Sequence, residues 1–262
     1  MADLDRRARE TLGFSRWWLI LVAALMMAVV SPYQYVWTAI ETPIQTRLGV
    51  SEAGIGLVFT LFVVFQAGSQ VPVGWWHDRH GPRAITAVAA LLAGGGYVAL
   101  ADATAVWQVY LSYSLGAIGV GIVYTVAVNT ALKWFPDRRG FTTGLGTMAF
   151  AGGSALVVPY VRANATVTGY PAVLTNMGLL IGLGILVGAL VLKDPPTDWL
   201  DDAQADANEE DAEILGGKQY ESGEMLRTWQ FWLMYAMFVA VSGAGLMLTA
   251  KIVSFAAAVG LQ

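Results

Sequence analysis

The sequence contains no cysteine and few charged residues, which make up 13% of its 262 positions. Without cysteine there is no disulfide framework and no thiolate metal site. The two histidines, His77 and His80, lie in one short segment, which disfavours a zinc site built from histidines. We therefore expect no metal site. We also expect no cofactor, no catalytic side chains and no enzymatic activity.

Charge is missing most completely from long apolar windows. A soluble domain carries about 25% charged residues, whereas residues 17–40, 53–77 and 141–161 carry none when histidine is counted as neutral. Each window is long enough to cross a hydrocarbon core of about 30 Å, which takes about 20 helical residues. A helix at the surface of a soluble protein needs a polar face, and these windows lack one. The sequence predicts an all-α integral membrane protein in a lipid bilayer.

The apolar windows predict seven membrane-spanning helices, numbered here as spans one to seven. They cover residues 17–40, 53–75, 83–101, 106–134, 141–161, 172–192 and 228–254. Spans six and seven are separated by a segment with 11 acidic and 3 basic residues, which begins near the helix-breaking pair Pro195-Pro196. We expect a six-helix bundle over residues 1–192, an acidic cytoplasmic linker over 193–227, and over 228–262 the start of an incomplete second bundle.

Lysine and arginine are distributed unevenly over the predicted connections. With the N-terminus in the cytoplasm, twelve of them are cytoplasmic, and the three outside or near the outer face are Arg47, Arg162 and Lys251. Membrane proteins show this bias of positive charge toward the inside. We expect a multi-pass protein of the plasma membrane with a cytoplasmic N-terminus. The net charge of −4 comes from the acidic linker, and nothing indicates a nucleic-acid partner.

The connection between spans two and three reads Gly-Trp-Trp-His-Asp-Arg-His-Gly-Pro-Arg from residue 74 to residue 83. Gly74 lets two helices approach, Gly81 permits a tight turn, and Asp78 can cap a neighbouring helix or pair with an arginine. A positively charged anchor loop explains Arg79 and Arg83 but not the acid or the two glycines. The pattern resembles the signature loop of the major facilitator superfamily. That resemblance implies a gating role for these five residues, in a transporter of two six-helix bundles.

A second pattern runs through spans four and five. It consists of Gly116, Gly119, Gly121 and Tyr124, then Lys-Trp-Phe-Pro-Asp-Arg-Arg-Gly over residues 133–140, and then a glycine-rich span five. Together with Tyr-Gln-Tyr-Val-Trp over residues 33–37, it is similar to the oxalate/formate antiporter family within that superfamily. The resemblance adds three candidates for gating, namely Asp137, Arg138 and Arg139.

Spans one and four line the central cavity in this superfamily, and both carry polar and aromatic side chains. The candidates for binding the solute are Tyr33, Gln34, Tyr35, Trp37, Gln66, Tyr124, Asn129 and Lys251. An aromatic box with a few donors suits a small, planar, polar solute, whereas an interfacial aromatic belt leaves Gln34 and Tyr124 too deep. Gln66 and Asn129 line the cavity or bond a neighbouring helix. Lys251 either faces an anion pathway or extends to the outer interface.

Two alternatives come from other classes of membrane protein. Seven helices with Lys251 in the last also resemble the retinal-binding rhodopsins. Three features oppose that interpretation. They are the inferred orientation, the long acidic segment, and a span three that lacks the arginine and aspartates of a proton pump. A non-transporting membrane scaffold or sensor is the third interpretation, and it leaves the aromatic cluster without a ligand.

The acidic residues near the spans bear on the transport mode. Glu41, Asp78, Asp102 and Asp137 all fall at predicted span ends, and Ser112 stands where many proton-coupled members of the superfamily have an arginine. Since proton relays need buried ionisable groups, the sequence favours exchange or facilitated passage. The resemblance implies a small mono- or dicarboxylate as the solute, with its cationic partners in a second bundle.

We expect this chain by itself not to transport. Alternating access needs two bundles, and the sequence predicts one bundle and a single further helix. The explanations are a truncated reading frame, a split gene whose partner supplies the missing C-terminal half, or a boundary chosen for expression.

Overall fold

The computed structural model describes residues 2–196, 199 and 222–258, with the backbone alone for residues 2, 3, 222 and 246–258. The chain divides after residue 215 into two units. Within the described residues the helices are α1 (Ala2–Leu12), α2 (Trp17–Val30), α3 (Pro32–Tyr35), α4 (Trp37–Leu48), α5 (Glu52–His80), α6 (Pro82–Ala101), α7 (Val106–Trp134), α8 (Arg139–Asn164), α9 (Tyr170–Val191), α10 (Ser222–Met225) and α11 (Trp229–Ala258). A short 3₁₀ turn, Pro136–Arg138, joins α7 to α8.

The described part of the first unit contains six stretches long and apolar enough to cross a membrane, as the sequence predicts for spans one to six. In chain order they are α2 with α3, then α5, α6, α7, α8 and α9. The fold class predicted from the sequence, an all-α membrane protein with a six-helix bundle, is therefore confirmed. Helix α11 of the second unit covers the predicted span seven.

The first span is longer and more broken than predicted. It continues as α4 to Leu48, and it is interrupted at Ser31 and at Val36. Pro32 causes the first interruption, since its ring has no N–H for the carbonyl of Ala28. The Ser31 hydroxyl donates a hydrogen bond to that carbonyl instead, at 2.9 Å. One consequence is a correction: Glu41 lies inside α4 rather than at a helix end.

The segment predicted as the loop between spans two and three is mostly helix. Helix α5 runs to His80, so residues 74–80 form its last two turns and only Gly81 lies between α5 and α6. Gly81 has φ of +75°, a conformation that side chains with a Cβ rarely adopt. The tight turn predicted for Gly81 is present, but it is a single-residue connection.

Helix α1 was not predicted from the sequence, because residues 2–12 are rich in charge. Its apolar residues Leu4, Ala8 and Leu12 recur every four positions and so share one face of the helix. Leu4 and Ala8 are buried, and Leu12 packs against the core. This short amphipathic helix is therefore part of the bundle.

Helix α7 forms the centre of the first unit, packed against α5 and α6, while α6 also packs against α9 and α2 against α8. In their apolar windows 61% of the residues of α7 are buried, against 17% for α5 and 22% for α8. The two helices α5 and α8 therefore turn most of their surface away from this bundle, where it meets lipid or protein outside the described residues.

Candidate functional site

Three aromatic side chains from three helices meet near the middle of the bundle. The ring of Phe150 on α8 lies edge-on to Tyr35 of α3, with centroids 5.9 Å apart, and edge-on to Tyr124 of α7, at 5.5 Å. Phe150 is buried, whereas both tyrosines are half-buried. The structure thus brings Tyr35 and Tyr124 together around Phe150. Sequence reasoning missed Phe150, because one phenylalanine in an apolar span carries no signal of its own.

The half-buried residues of α7 form one stripe beside this cluster. Tyr124, Thr125, Val128 and Asn129 are partly exposed, while Thr130 and the residues between them are buried. Their spacing places them on one side of the helix. On α3 and α4 the partly exposed residues Gln34, Tyr35 and Thr38 form a second short stripe. We call these two stripes the open face, consisting of Gln34, Tyr35, Thr38, Tyr124, Thr125 and Asn129.

The open face offers neutral polar groups. Residues 31–40 and 116–132 contain no charged side chain, so the face presents hydroxyls, amides and aromatic rings. Gln66 of α5 is partly exposed and lies where α5 meets α7, since a Cβ added to Gly121 would come within 2.5 Å of the Gln66 carbonyl oxygen. Lys251 falls in α11, but its side chain lies outside the described residues.

Tyr33 and Trp37 occupy a different position from the other candidates for binding the solute. Tyr33 is enclosed by protein, and its hydroxyl donates a hydrogen bond to the Ala93 carbonyl at 2.6 Å. Its ring lies 4.1 Å from that of Tyr97, and Trp37 packs 4.7 Å from Tyr113. These contacts join α3 and α4 to α6 and α7 inside the bundle. We therefore assign Tyr33 and Trp37 to packing and not to the open face.

The interruption at Ser31 lets α8 approach α2 closely next to the open face. The Ser31 and Ser154 hydroxyls share a buried hydrogen bond of 2.7 Å. A Cβ added to Gly153 would lie 2.4 Å from the Ala28 carbonyl oxygen, so only glycine fits there. The crossing fixes α8 and its Phe150 against α3.

The candidates for gating lie at one end of the bundle, which we call the basic end. This end is formed by the last turn of α5, the start of α6, the end of α7 and the end of α9. Asp78 is exposed, and its Oδ1 lies 3.2 Å from Lys133 Nζ of α7. The Arg79 guanidinium stacks over the Trp75 ring at 4.1 Å, and Arg83 Nε donates to the Leu192 carbonyl at 3.2 Å. Asp78 is thus tied to α7 of its own bundle.

Gly74 does not mark a tight contact within the described residues. A Cβ at this position would lie 3.9 Å from Thr125 Cγ2 of α7, an ordinary van der Waals distance. The close helix approach that the sequence suggested for Gly74 is therefore not made inside this bundle. Its partly exposed position leaves room for a partner outside the described residues.

One of the remaining gating candidates, Asp137, pairs with a buried arginine that the sequence reasoning counted only as a cytoplasmic charge. Arg16 is 1% exposed, and its guanidinium donates to both carboxylate oxygens of Asp137, at 3.0 and 3.2 Å. It also donates to Asp5 of α1 at 2.6 Å and to the Trp134 carbonyl at 3.0 Å. Arg138 and Arg139 are exposed. The signal for Arg16 is present in the sequence as the basic residue directly before a long apolar span.

After α9 the chain packs against the basic end through residues 192–196 and Trp199, which we call the strap. The Lys193 carbonyl accepts a hydrogen bond of 2.6 Å from Trp134 Nε1, and Trp199 is buried edge-on to the Trp134 ring at 4.9 Å. Asp194 lies 3.1 Å from Lys133 Nζ and 3.4 Å from Nε2 of the fully buried His77. Partial burial raises the pKa of the Asp194 carboxyl, but His77 and Lys133 outweigh it and hold that pKa below its usual value.

Comparison with known proteins identifies the family to which this architecture belongs. The family model described as Major Facilitator Superfamily matches residues 16–261. The chain belongs to the Major Facilitator Superfamily. It is accordingly a multi-pass membrane protein, and this assignment sets aside the retinal-binding alternative.

Three relatives are similar to this member of the superfamily. The oxalate:formate antiporter of Oxalobacter formigenes is 36% identical over 249 residues, which cover 94% of this chain and 57% of the relative. An uncharacterised 38 kDa protein of Thermoproteus tenax is 32% identical over 69% of this chain and 48% of its own length. The probable sulfoacetate transporter SauU of Cupriavidus necator is 30% identical over 68% of this chain and 42% of its own length. The chain spans about half the length of these curated relatives.

Proposed function

We propose that this chain takes part in secondary transport of small organic anions, mono- or dicarboxylates such as oxalate and formate, by alternating access. The observation that carries the proposal is the open face, where Tyr35 and Tyr124 meet around Phe150 with Gln34 and Asn129 on the same two stripes. Two relatives named for the transport of small anions, oxalate with formate and sulfoacetate, support the solute class.

The chemistry of the open face suits part of a carboxylate site. Tyrosine hydroxyls and side-chain amides donate hydrogen bonds to carboxylate oxygens, and the ring faces fit a planar solute. An anion buried among neutral donors alone pays a large desolvation penalty unless a cation neutralises it. We therefore propose that a lysine or arginine outside the open face completes the site. A role for Lys251 in binding the solute likewise stays a proposal.

The exposed surfaces of α5 and α8 fit the same proposal. Each has less than a quarter of its apolar window buried in this bundle. Two facing bundles that rock around a central site require such surfaces at their contact. In this arrangement α5, α8, α3, α4 and α7 face the second bundle, and α6 and α9 support them from behind.

We propose that the basic end faces the cytoplasm and that Asp78 belongs to the gate there. The uneven distribution of lysine and arginine supports this orientation in the plasma membrane. Asp78 pairs with Lys133. Lys133 follows Tyr124 by nine residues of α7, which places it about 14 Å farther along that helix. Replacing Asp78 by asparagine should slow transport with little change in solute affinity, since it alters the balance between states and not the site. Loss of binding with an unchanged rate for bound solute would contradict this role.

Uptake by cells that express the complete reading frame tests the proposed solute class. Labelled oxalate, formate and lactate are compared with a labelled neutral sugar, and Tyr124→Ala serves as the site variant. We expect uptake of one or more carboxylates that Tyr124→Ala reduces and no uptake of the sugar. Strong sugar uptake without carboxylate uptake would refute the proposal.

A further inference from the structure

Lys133 of α7 is shared between two carboxylates at the basic end. Its Nζ donates a hydrogen bond of 3.1 Å to Oδ2 of Asp194 on the strap, and it lies 3.2 Å from Oδ1 of Asp78 on α5. A lysine ammonium has three N–H donors, so it can serve both carboxylates at once. The two aspartates therefore compete for one cation, and the stronger pair limits how firmly the other is held.

Solvent exposure distinguishes the two pairs. The Asp194 side chain is 25% exposed, whereas that of Asp78 is 64% exposed. Water and salt screen an exposed ion pair, so at nearly equal distances Lys133 binds Asp194 more strongly than Asp78. The pKa of Asp194 agrees with this ranking, because burial raises it but His77 and Lys133 together hold it below its usual value.

The strap keeps the Asp194 carboxylate at this position. The Lys193 carbonyl, one residue before Asp194, accepts a hydrogen bond of 2.6 Å from Trp134 Nε1, and the Leu192 carbonyl accepts one of 3.2 Å from α6. Aspartate has a short side chain, and its backbone is already fixed here. It therefore loses little conformational entropy when it binds Lys133.

Asp78, in contrast, keeps part of its binding capacity. Its two charged or chargeable neighbours among the described residues are Lys133 and His77, whose Nδ1 lies at 3.7 Å, and both are next to Oδ1. A carboxylate can accept hydrogen bonds at both of its oxygens. Most of the Asp78 side chain therefore remains accessible to a group outside this bundle.

We propose that Asp194 is a positioning residue of the gate. It holds Lys133 on the strap, so that Lys133 does not capture Asp78 and the Asp78 carboxylate stays available to a partner outside this bundle. The inference rests on the gating role proposed above for Asp78. Asp194 acts through Lys133 and touches no solute, so its removal should have the same effect as weakening Asp78 itself.

Two combined substitutions give a result that mere damage to the fold would not produce. In Asp194→Asn, Lys133 is left to Asp78 alone. Entry of labelled oxalate into liposomes, through the product of the complete reading frame, should then slow by up to about fivefold, the strength of an exposed ion pair, at an unchanged half-saturation concentration. Adding Lys133→Gln removes the capturing cation and should restore the rate. Asp194→Glu keeps the charge and should behave like the parent protein.

Matched variants show whether the effect passes through Lys133 and Asp78. Lys193→Gln removes an exposed lysine adjacent to Asp194, and it should not restore the rate of Asp194→Asn. Asp78→Asn with Asp194→Asn should be no slower than Asp78→Asn alone, since both changes act on the same carboxylate. Further slowing in that double variant, or when Lys133→Gln is added to Asp194→Asn, would overturn the proposal.

Lys133→Gln by itself covers the case in which Asp194→Asn does not fold. This substitution removes only a competitor for Asp78, so oxalate entry should not slow. Slowing as large as that caused by Asp78→Asn would mean that Asp78 needs Lys133, and it would contradict the role of Asp194.

A second measurement involves no transport. Unfolding of this chain in detergent is compared for the single and double variants, which gives the coupling between Lys133 and each aspartate. We expect a coupling of about fivefold or more in the unfolding equilibrium constant with Asp194, and of about twofold or less with Asp78. The reverse order would overturn the proposal. The expected order, together with no oxalate entry by the parent protein, would refute the proposed function and leave the pairing of Lys133 with Asp194 standing.

Discussion

The Arg16 guanidinium and the Asp137 carboxylate form a paired contact of two hydrogen bonds, at 3.0 and 3.2 Å. Arg16 precedes the first residue of α2, and Asp137 lies in the turn between α7 and α8. Because Arg16 also donates to Asp5 of α1 and to the Trp134 carbonyl, one buried cation connects α1, the start of α2 and the end of α7. This contact fixes the W-F-P-D turn to the start of the first span.

Asp137→Asn tests that contact. The substitution leaves Arg16 buried with only part of its negative partners, and breaking a buried ion pair typically destabilises by about 3 kcal/mol or more. We expect a loss of that size in the free energy of unfolding in detergent. The matched control is Asp102→Asn at the exposed end of α6, which should change stability by less than about 0.5 kcal/mol. Equal stability of the two variants would contradict the structural role of the Arg16 contact.

Two adjacent glycines of α8 give a second prediction. A Cβ at Gly153 meets the α2 backbone at Ala28, whereas a Cβ at Gly152 has open space. Gly153→Ala should destabilise by about 1–3 kcal/mol because it overpacks the crossing. Gly152→Ala should be neutral or stabilising by up to about 1 kcal/mol, since alanine is the better helix former. Unfolding of both variants in detergent is the measurement, and a reversed order would show that α2 and α8 cross elsewhere.

Three tyrosine-to-phenylalanine substitutions separate packing from solute binding. Tyr33→Phe removes a buried hydrogen bond to Ala93, so it should lower stability by about 1 kcal/mol and leave solute affinity nearly unchanged. Tyr35→Phe and Tyr124→Phe should weaken carboxylate binding about five- to tenfold, the equivalent of about 1 kcal/mol, with little effect on stability. Parallel unfolding and binding assays make the comparison. A loss of affinity confined to Tyr33→Phe would mean that the open face is wrongly assigned.

Asp194 gives the folded protein an acid-sensitive contribution to stability. Its folded-state pKa is lowered, so its charged form stabilises the folded protein above the unfolded value of about 4. That contribution disappears as the pH falls through the lower folded value. The free energy of unfolding in detergent should therefore fall below about pH 4. Asp194→Asn should weaken this pH dependence, and Asp102→Asn should keep it.

The membrane helices and the turn at Gly81 were predictable from the sequence, because both depend on local features. Windows without charge determine where the chain can cross a membrane, and a glycine at a fixed distance from Asp78 marks the turn. The end of the first span was predicted wrongly at residue 40, because the charged residue Glu41 was assigned to a helix end. The protein accommodates Glu41 inside α4.

The contacts of the basic end were not predictable, because they join residues distant in the sequence. His77 meets Asp194 across more than a hundred positions, and Arg16 meets Asp137 across a similar distance. A single sequence shows these as isolated charges near span ends. The same limit applies to Phe150, which becomes informative only when α8 is placed against α3 and α7.

Exchange across a membrane tests the central claim most directly. The product of the complete reading frame is placed in liposomes with or without internal oxalate, and the entry of labelled oxalate is followed with and without an imposed proton gradient. We predict saturable entry that internal oxalate accelerates, that Tyr124→Ala abolishes, and that does not require the proton gradient. Entry that depends on the proton gradient and is indifferent to internal oxalate would contradict exchange, and the absence of any saturable carboxylate entry would contradict transport of small organic anions.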